Sequence, residues 1–106
     1  MRLSKMQLKL IQESKMILVN HLNLTNDEAI SVISKALRRE LVSRKITMET
    51  LEISTLSVRT SFVRSVVKGV QDEVMKNPKW KSDNVERYIG KFYQSLYKSM
   101  NPEPES

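Results

Sequence analysis

Positions 58, 62, 66, 70 and 74 of this 106-residue chain hold Val58, Phe62, Val66, Val70 and Val74. An apolar residue thus recurs at every fourth place, about one helical turn apart. It draws a single stripe along a helix. Val63 and Val67 widen the stripe. Branching at Cβ restricts a side chain within a helix, so a helix this rich in valine is held by burial rather than by intrinsic preference. The spacing predicts a helix from about Ser57 to Asn77, where Pro78 forces the preceding residue out of the helical region. Gly69 inside it costs about 1 kcal/mol relative to Ala. It either admits a close neighbour or is simply tolerated.

The same period runs through most of the chain. Leu3, Met6, Leu10, Ile17 and Leu18 predict a first helix over about 3–21. Thr25 and Glu28 stand three residues apart, the spacing of a capping box, and open a second helix over about 26–43. Its inward face is Ala29, Ile30, Ile33, Ala36, Leu37 and Leu41. Thr47 is placed to cap a short helix, METLEIS, with Met48 and Leu51 inward. Ser82 or Asp83 opens a last helix to about Met100, whose apolar side is Val85, Tyr88, Ile89, Phe92, Leu96 and Met100. The expectation is an all-α, compact bundle of five helices, long, long, short, long, long. Residues 1–100 form one domain, and 101–106 (NPEPES) form an acidic, Pro-rich, disordered tail.

Composition narrows the chemistry. Two glycines and three prolines are too few for the turns of an all-β fold. With no cysteine there is no disulfide framework, thiolate metal site or thiol nucleophile. One histidine, His21, makes neither a His-based catalytic pair nor a zinc cluster, and its place near a helix end suits a cation facing the dipole. Phosphate-loop, nucleophile-elbow and zinc-protease motifs are all missing. Asp27/Glu28 and Asp72/Glu73 read as capping and solvated acids. The expectation is therefore a non-enzyme without cofactor or metal. No apolar run approaches the ~20 residues of a membrane span, and the N-terminus lacks a signal peptide's apolar core. The chain is expected to be intracellular, in a reducing compartment.

Charge points to the partner. Eighteen Lys and Arg against twelve Asp and Glu give +6, and residues 1–100 carry 18 − 10 = +8. A basic body favours an acidic partner. Arg64 and Lys68 lie one turn apart on the valine-rich helix. Trp80 sits between Lys79 and Lys81 in a short polar linker, where an indole either folds onto the core or stands out as an amphipathic anchor. Tyr88, Phe92, Tyr93 and Tyr97 recur at helical spacing and read mainly as core. Leu8, Ile11 and Val19 form a leftover apolar stripe on the first helix, able to pair two chains.

Taken in order, Ile33…Leu37…Leu41, then Ile46-Thr47-Met48-Glu49-Thr50-Leu51, then Ser54-Thr55, the valine helix with Arg64 and Lys68, and finally Val85…Tyr88-Ile89…Phe92-Tyr93-Gln94-Ser95-Leu96-Tyr97-Lys98 resemble the TFIIS N-terminal domain family, or LW domain, over about residues 17–100. The segment Asn20-His21-Leu22-Asn23-Leu24-Thr25-Asn26 looks like the first interhelical loop of one member, the integrase-binding domain of LEDGF. Leu96-Tyr97 stands where many members have Trp. The resemblance implies a nuclear protein-interaction module of a transcription elongation or chromatin-associated factor. Such modules dock short disordered motifs, hydrophobic with acidic surroundings, between the first interhelical loop and the loop before the last helix. Carried over, the partner-binding residues are Leu24, Thr25 and Asn26 on one side and Lys79, Trp80 and Lys81 on the other, with Val85 at the base and Arg64 and Lys68 nearby.

A second class remains open, a small basic nucleic-acid-binding regulator. KITMETLEISTLSVRTSFVR can be read as a DNA-binding helix-turn-helix, although Phe62 and Val63 would then fall on the recognition helix. ESKMILVNHLNLTNDEA faintly resembles bacterial ANTAR domains, which bind RNA.

Overall fold

The computed structural model describes residues 5–77 and 84–100. They form α1 (Lys5–His21), α2 (Asn26–Arg44), α3 (Met48–Glu52), α4 (Leu56–Lys76) and α5 (Asn84–Met100). No strand occurs among the described residues. The expected five-helix, all-α architecture is what the chain adopts, in the expected order of lengths. The Cα radius of gyration is 13.4 Å, close to the ~13 Å of a compact chain this long.

Local chemistry sets the helix ends. Thr25 Oγ1 accepts from the Glu28 N–H at 3.1 Å, and Glu28 Oε1 accepts from the Thr25 N–H at 2.9 Å, so the expected capping box is complete. Thr47 caps α3 by accepting from the Thr50 N–H. Thr55 caps α4 by accepting from the Val58 N–H at 3.3 Å, which starts that helix one residue before the expected Ser57. At the end of α2, Lys45 adopts a left-handed conformation, φ 57°. The Ile46 N–H reaches the Leu41 carbonyl and the Lys45 N–H reaches that of Val42, the pair of bonds that closes a Schellman turn. Asn23 is left-handed too, φ 62°. It turns the chain so that the Leu24 N–H donates back to the Leu18 carbonyl at 3.3 Å. Ser82 and Asp83, expected to cap α5, lie outside the described residues, as does the 101–106 tail.

The four long helices close a ring in which α1 packs on α2, α2 on α4, α4 on α5 and α5 on α1. Side chains fix their directions. Arg44 of α2 reaches Ser61 and Ser65 of α4, while Ala36 faces Gly69, so α2 and α4 are antiparallel. Glu13 of α1 meets Ser95 and Ser99 of α5, while His21 meets Tyr88, so α1 and α5 are antiparallel as well. The result is an up-down-up-down bundle, with α3 filling the connection between α2 and α4. Gly69 lies on this seam, but a Cβ there would sit 3.6 Å from the Ala36 Cβ, ordinary contact, so the packing does not require glycine.

One core runs through the ring. Leu10, Leu18, Ile33, Leu37, Phe62, Val66, Val70, Phe92 and Leu96 are sealed in it, with Met48 and Leu51 of α3. Three sequence expectations are corrected. Val58 is 39% exposed rather than part of the buried stripe. Arg44, the last residue of α2, meets α4 at Ser61, Phe62 and Ser65, so the first turn of α4 projects past the end of its neighbour. Ile11 is buried rather than left over, because α1 is covered by both α2 and α5 and needs a face wider than one stripe. Leu8, at 45% exposure, and half-buried Val19 are what remains of the proposed pairing stripe. On α2, Val32 joins Ala29, Ile33 and Leu37 in the core, while Ile30, Ala36 and Leu41 are half-buried at its edge.

Candidate functional site: a basic groove between α4 and α5

The residues singled out in the sequence fall into two places. Leu24, Thr25, Asn26 and Val85 gather at one end of the bundle, where the stacking of His21 on Tyr88, with ring centroids 4.0 Å apart, joins the end of α1 to the beginning of α5. The end of α1 and the start of α5 therefore meet there; the linker segment expected to face Leu24 lies outside the described residues. The side chains gathered there are spent on structure, however. Leu24 is 3% exposed and Val85 fully buried, both within the core. Thr25 is committed to the capping box. Asn26 alone of the four is an exposed residue without a bond of its own. Leu24 therefore offers no surface to a partner. Lys79, Trp80 and Lys81 lie outside the described residues.

Arg64 and Lys68 are elsewhere. Arg64 lies twelve residues before the end of α4, about 18 Å along the axis at 1.5 Å per residue. Both side chains are exposed. They line a groove of about 540 Å³ between α4 and α5. Val67, nearly buried, is its floor; Met75, 40% exposed, and half-buried Tyr93 are its apolar walls. Tyr93 is held in place by stacking on Tyr97, with centroids 6.1 Å apart. Gln71 and Asp72 complete the lining.

The electrostatics are simple. Arg64 and Lys68 make no ion pair or hydrogen bond among the described residues, and neither charge is spent on the fold. Asp72, one turn beyond Lys68, is the only acid among the described residues that line the groove, so the Arg64 end is the more positive. An unpaired cation above apolar walls can hold a carboxylate while a neighbouring aliphatic or aromatic group fills the recess. Among the described residues no three His, Asp or Glu side chains converge to hold a metal ion, and no helix is long and apolar enough to cross a membrane.

Tyr93 and Met75 are the groove residues that sequence reasoning missed. Tyr93 reads in the sequence mainly as core with its aromatic neighbours; its i, i+4 pairing with Tyr97 is the available signal, since two ring faces one turn apart share an edge of the helix. Met75 falls outside the every-fourth-residue stripe.

Fold and groove together define a class: an all-α bundle carrying an open, apolar-walled recess with unpaired basic residues on its rim. The chain matches no known protein family, no curated protein and no solved structure.

Proposed function

We propose that this protein is a non-enzymatic docking module that binds short, disordered, acidic segments with apolar anchors, and that the α4–α5 groove is where they bind. The observation that carries the reading is the unpaired pair Arg64 and Lys68 above Val67, Met75 and Tyr93. A disordered segment gives up chain entropy on binding, so it needs a few apolar anchors in a preformed recess. Basic residues on the rim steer acidic segments to it. The net charge of +6 acts in the same direction.

The resemblance of helices two to five to the TFIIS N-terminal domain family supports a more specific reading: a transcription elongation or chromatin factor working in the nucleus, with disordered motifs of such proteins as partners. On that resemblance Lys79, Trp80 and Lys81 extend the contact surface.

The test is titration of the labelled chain with a peptide containing Leu, Phe and several Glu. Met75→Ala and the double change Arg64→Gln/Lys68→Gln should each weaken binding roughly tenfold, the loss of one anchor or of the rim charges. Only the double change should also flatten the salt dependence. Binding that ignores all three substitutions refutes the site.

A second reading has its own observation. On the outward face of α2, Ser31, Ser34, Lys35 and Arg38 line a shallow recess of about 460 Å³. Hydroxyls and cations one turn apart suit a nucleic-acid backbone. Steeply salt-dependent duplex binding, lost in Lys35→Gln/Arg38→Gln, would favour it.

A further inference from the structure

The first half of α4 carries a second concavity, beside the docking groove and sharing only Arg64 with it. It is an open recess of about 580 Å³ lined by Leu56, Ser57, Thr60, Ser61, Arg64 and Ser65. Four of these six are hydroxyls, one is a guanidinium and none is an acid. Serines and threonines inside a helix commonly turn back onto the carbonyl four residues earlier, as Ser14 does here. The hydroxyls of this cup do not. Ser57 and Thr60 make no side-chain hydrogen bond among the described residues. Ser61 and Ser65 accept from Arg44 Nη2, at 3.0 and 3.4 Å. A hydroxyl has one proton to donate and lone pairs to accept with. Ser61 and Ser65 use their oxygens to accept from Arg44, so their protons remain free for another acceptor. A cationic donor behind a hydroxyl polarises it and strengthens the bond it gives in turn. Arg44 is held at its post by Glu40, Nε to Oε1 2.6 Å, and lies 5.8 Å from the centre of the buried Phe62 ring. Its own charge is therefore largely balanced, and Arg64 supplies the unbalanced positive charge of the cup.

We propose that this cup binds a phosphoryl group, with Arg64 as the charge partner and the hydroxyls of Ser61 and Ser65, one turn apart, as donors. A tetrahedral oxyanion matches a site that offers several donors from one side and no competing carboxylate. The group is borne either by a small phosphorylated molecule such as a nucleoside monophosphate or by free phosphate. The half-exposed Leu56 at the rim is apolar surface that only the former would cover. The inference does not rest on the docking reading, because the groove's anchors, Met75 and Tyr93, are not part of the cup.

The experiment is nuclear magnetic resonance of the isotope-labelled 106-residue chain at neutral pH, titrated with sodium phosphate and with AMP. Sodium chloride at matched ionic strength is the control. Saturable shifts confined to the Leu56–Ser65 amides and the Arg64 side chain are expected from one or both probes. Arg64→Gln weakens binding roughly tenfold. Ser61→Ala weakens it severalfold, and Met75→Ala leaves it unchanged. Circular dichroism confirms that each variant is folded. AMP binding tighter than phosphate assigns the site to a nucleotide, while equal binding assigns it to the free anion. The proposal is overturned if chloride reproduces the shifts, if neither probe saturates, or if folded Arg64→Gln and Ser61→Ala bind like the wild type. Failure here leaves the docking groove standing, and an inert Met75→Ala in the peptide titration leaves this cup standing.

Discussion

Replacing Gly69 by Ala should make the protein more stable. Gly69 lies in the middle of α4, where glycine costs about 1 kcal/mol relative to alanine. Much of that cost comes from the freedom glycine has in the unfolded chain, a term worth ~0.4–1 kcal/mol. The question is whether the seam has room for a methyl group. The nearest atom to an added Cβ is the Ala36 Cβ at 3.6 Å, a normal van der Waals separation that adds contact and moves nothing. The expected gain is therefore about 1 kcal/mol, or ~4–8 °C in Tm for a domain of this size. Gly90 is the internal reference. It is exposed, with nothing within 4 Å of an added Cβ, so Gly90→Ala reports helix preference alone. Thermal and urea unfolding followed at 222 nm measures both. Gly69→Ala should match or exceed Gly90→Ala. Gly69→Leu must push side-chain atoms past that 3.6 Å limit into α2 and should lose ~1–3 kcal/mol by overpacking. If Gly69→Ala destabilises while Gly90→Ala stabilises, the two helices approach too closely at this seam for a methyl group, and the 3.6 Å separation is refuted.

Two further substitutions test the helix ends. Thr25→Ala removes the acceptor for the Glu28 N–H and should cost about 1 kcal/mol, with Thr25→Ser restoring most of it; urea midpoints at constant slope are the readout. Lys45→Gly relieves a left-handed side-chain residue at the end of α2, φ 57°, and should stabilise by about 1 kcal/mol, whereas an unchanged or lower midpoint would mean that the Lys45 side chain contributes something its exposed position does not reveal.

The helices were legible because burial imposes a period on the sequence, and the caps because Thr25 and Thr47 sit at fixed offsets from the groups they satisfy. What escaped was fixed by neighbours rather than by the residue itself. Val58 belongs to the same i, i+4 series as Phe62, and nothing local says that α2 stops before covering it. Ile11 looks spare on a one-sided helix and is needed on a helix packed from two sides. Leu24 reads as a loop residue, and only the backbone turn at Asn23 tucks it inward. The candidate surface was half visible. Arg64 and Lys68 were recognisable as a free basic pair one turn apart. Of the groove's apolar walls, Met75 lies on the same helix outside the every-fourth-residue series, and Tyr93 comes from α5, across a linker, a pairing between distant segments that leaves no periodic trace. The hydroxyl cup was invisible for the same reason: Arg44, which orients two of its serines, is separated from Ser61 by seventeen residues.

The fastening of α1 to α5 has a consequence for synthesis. Ser95 Oγ donates to the Glu13 carbonyl and Ser99 Oγ to the Glu13 carboxylate, and α1 packs against the last helix within one shared core. As the polypeptide grows on the ribosome, α1, α2 and α4 emerge with one side of the bundle still missing. The greasy flank of α1 stays wet until translation has passed Phe92 and Leu96. During that interval the nascent chain is a natural client for chaperones that shield apolar surface.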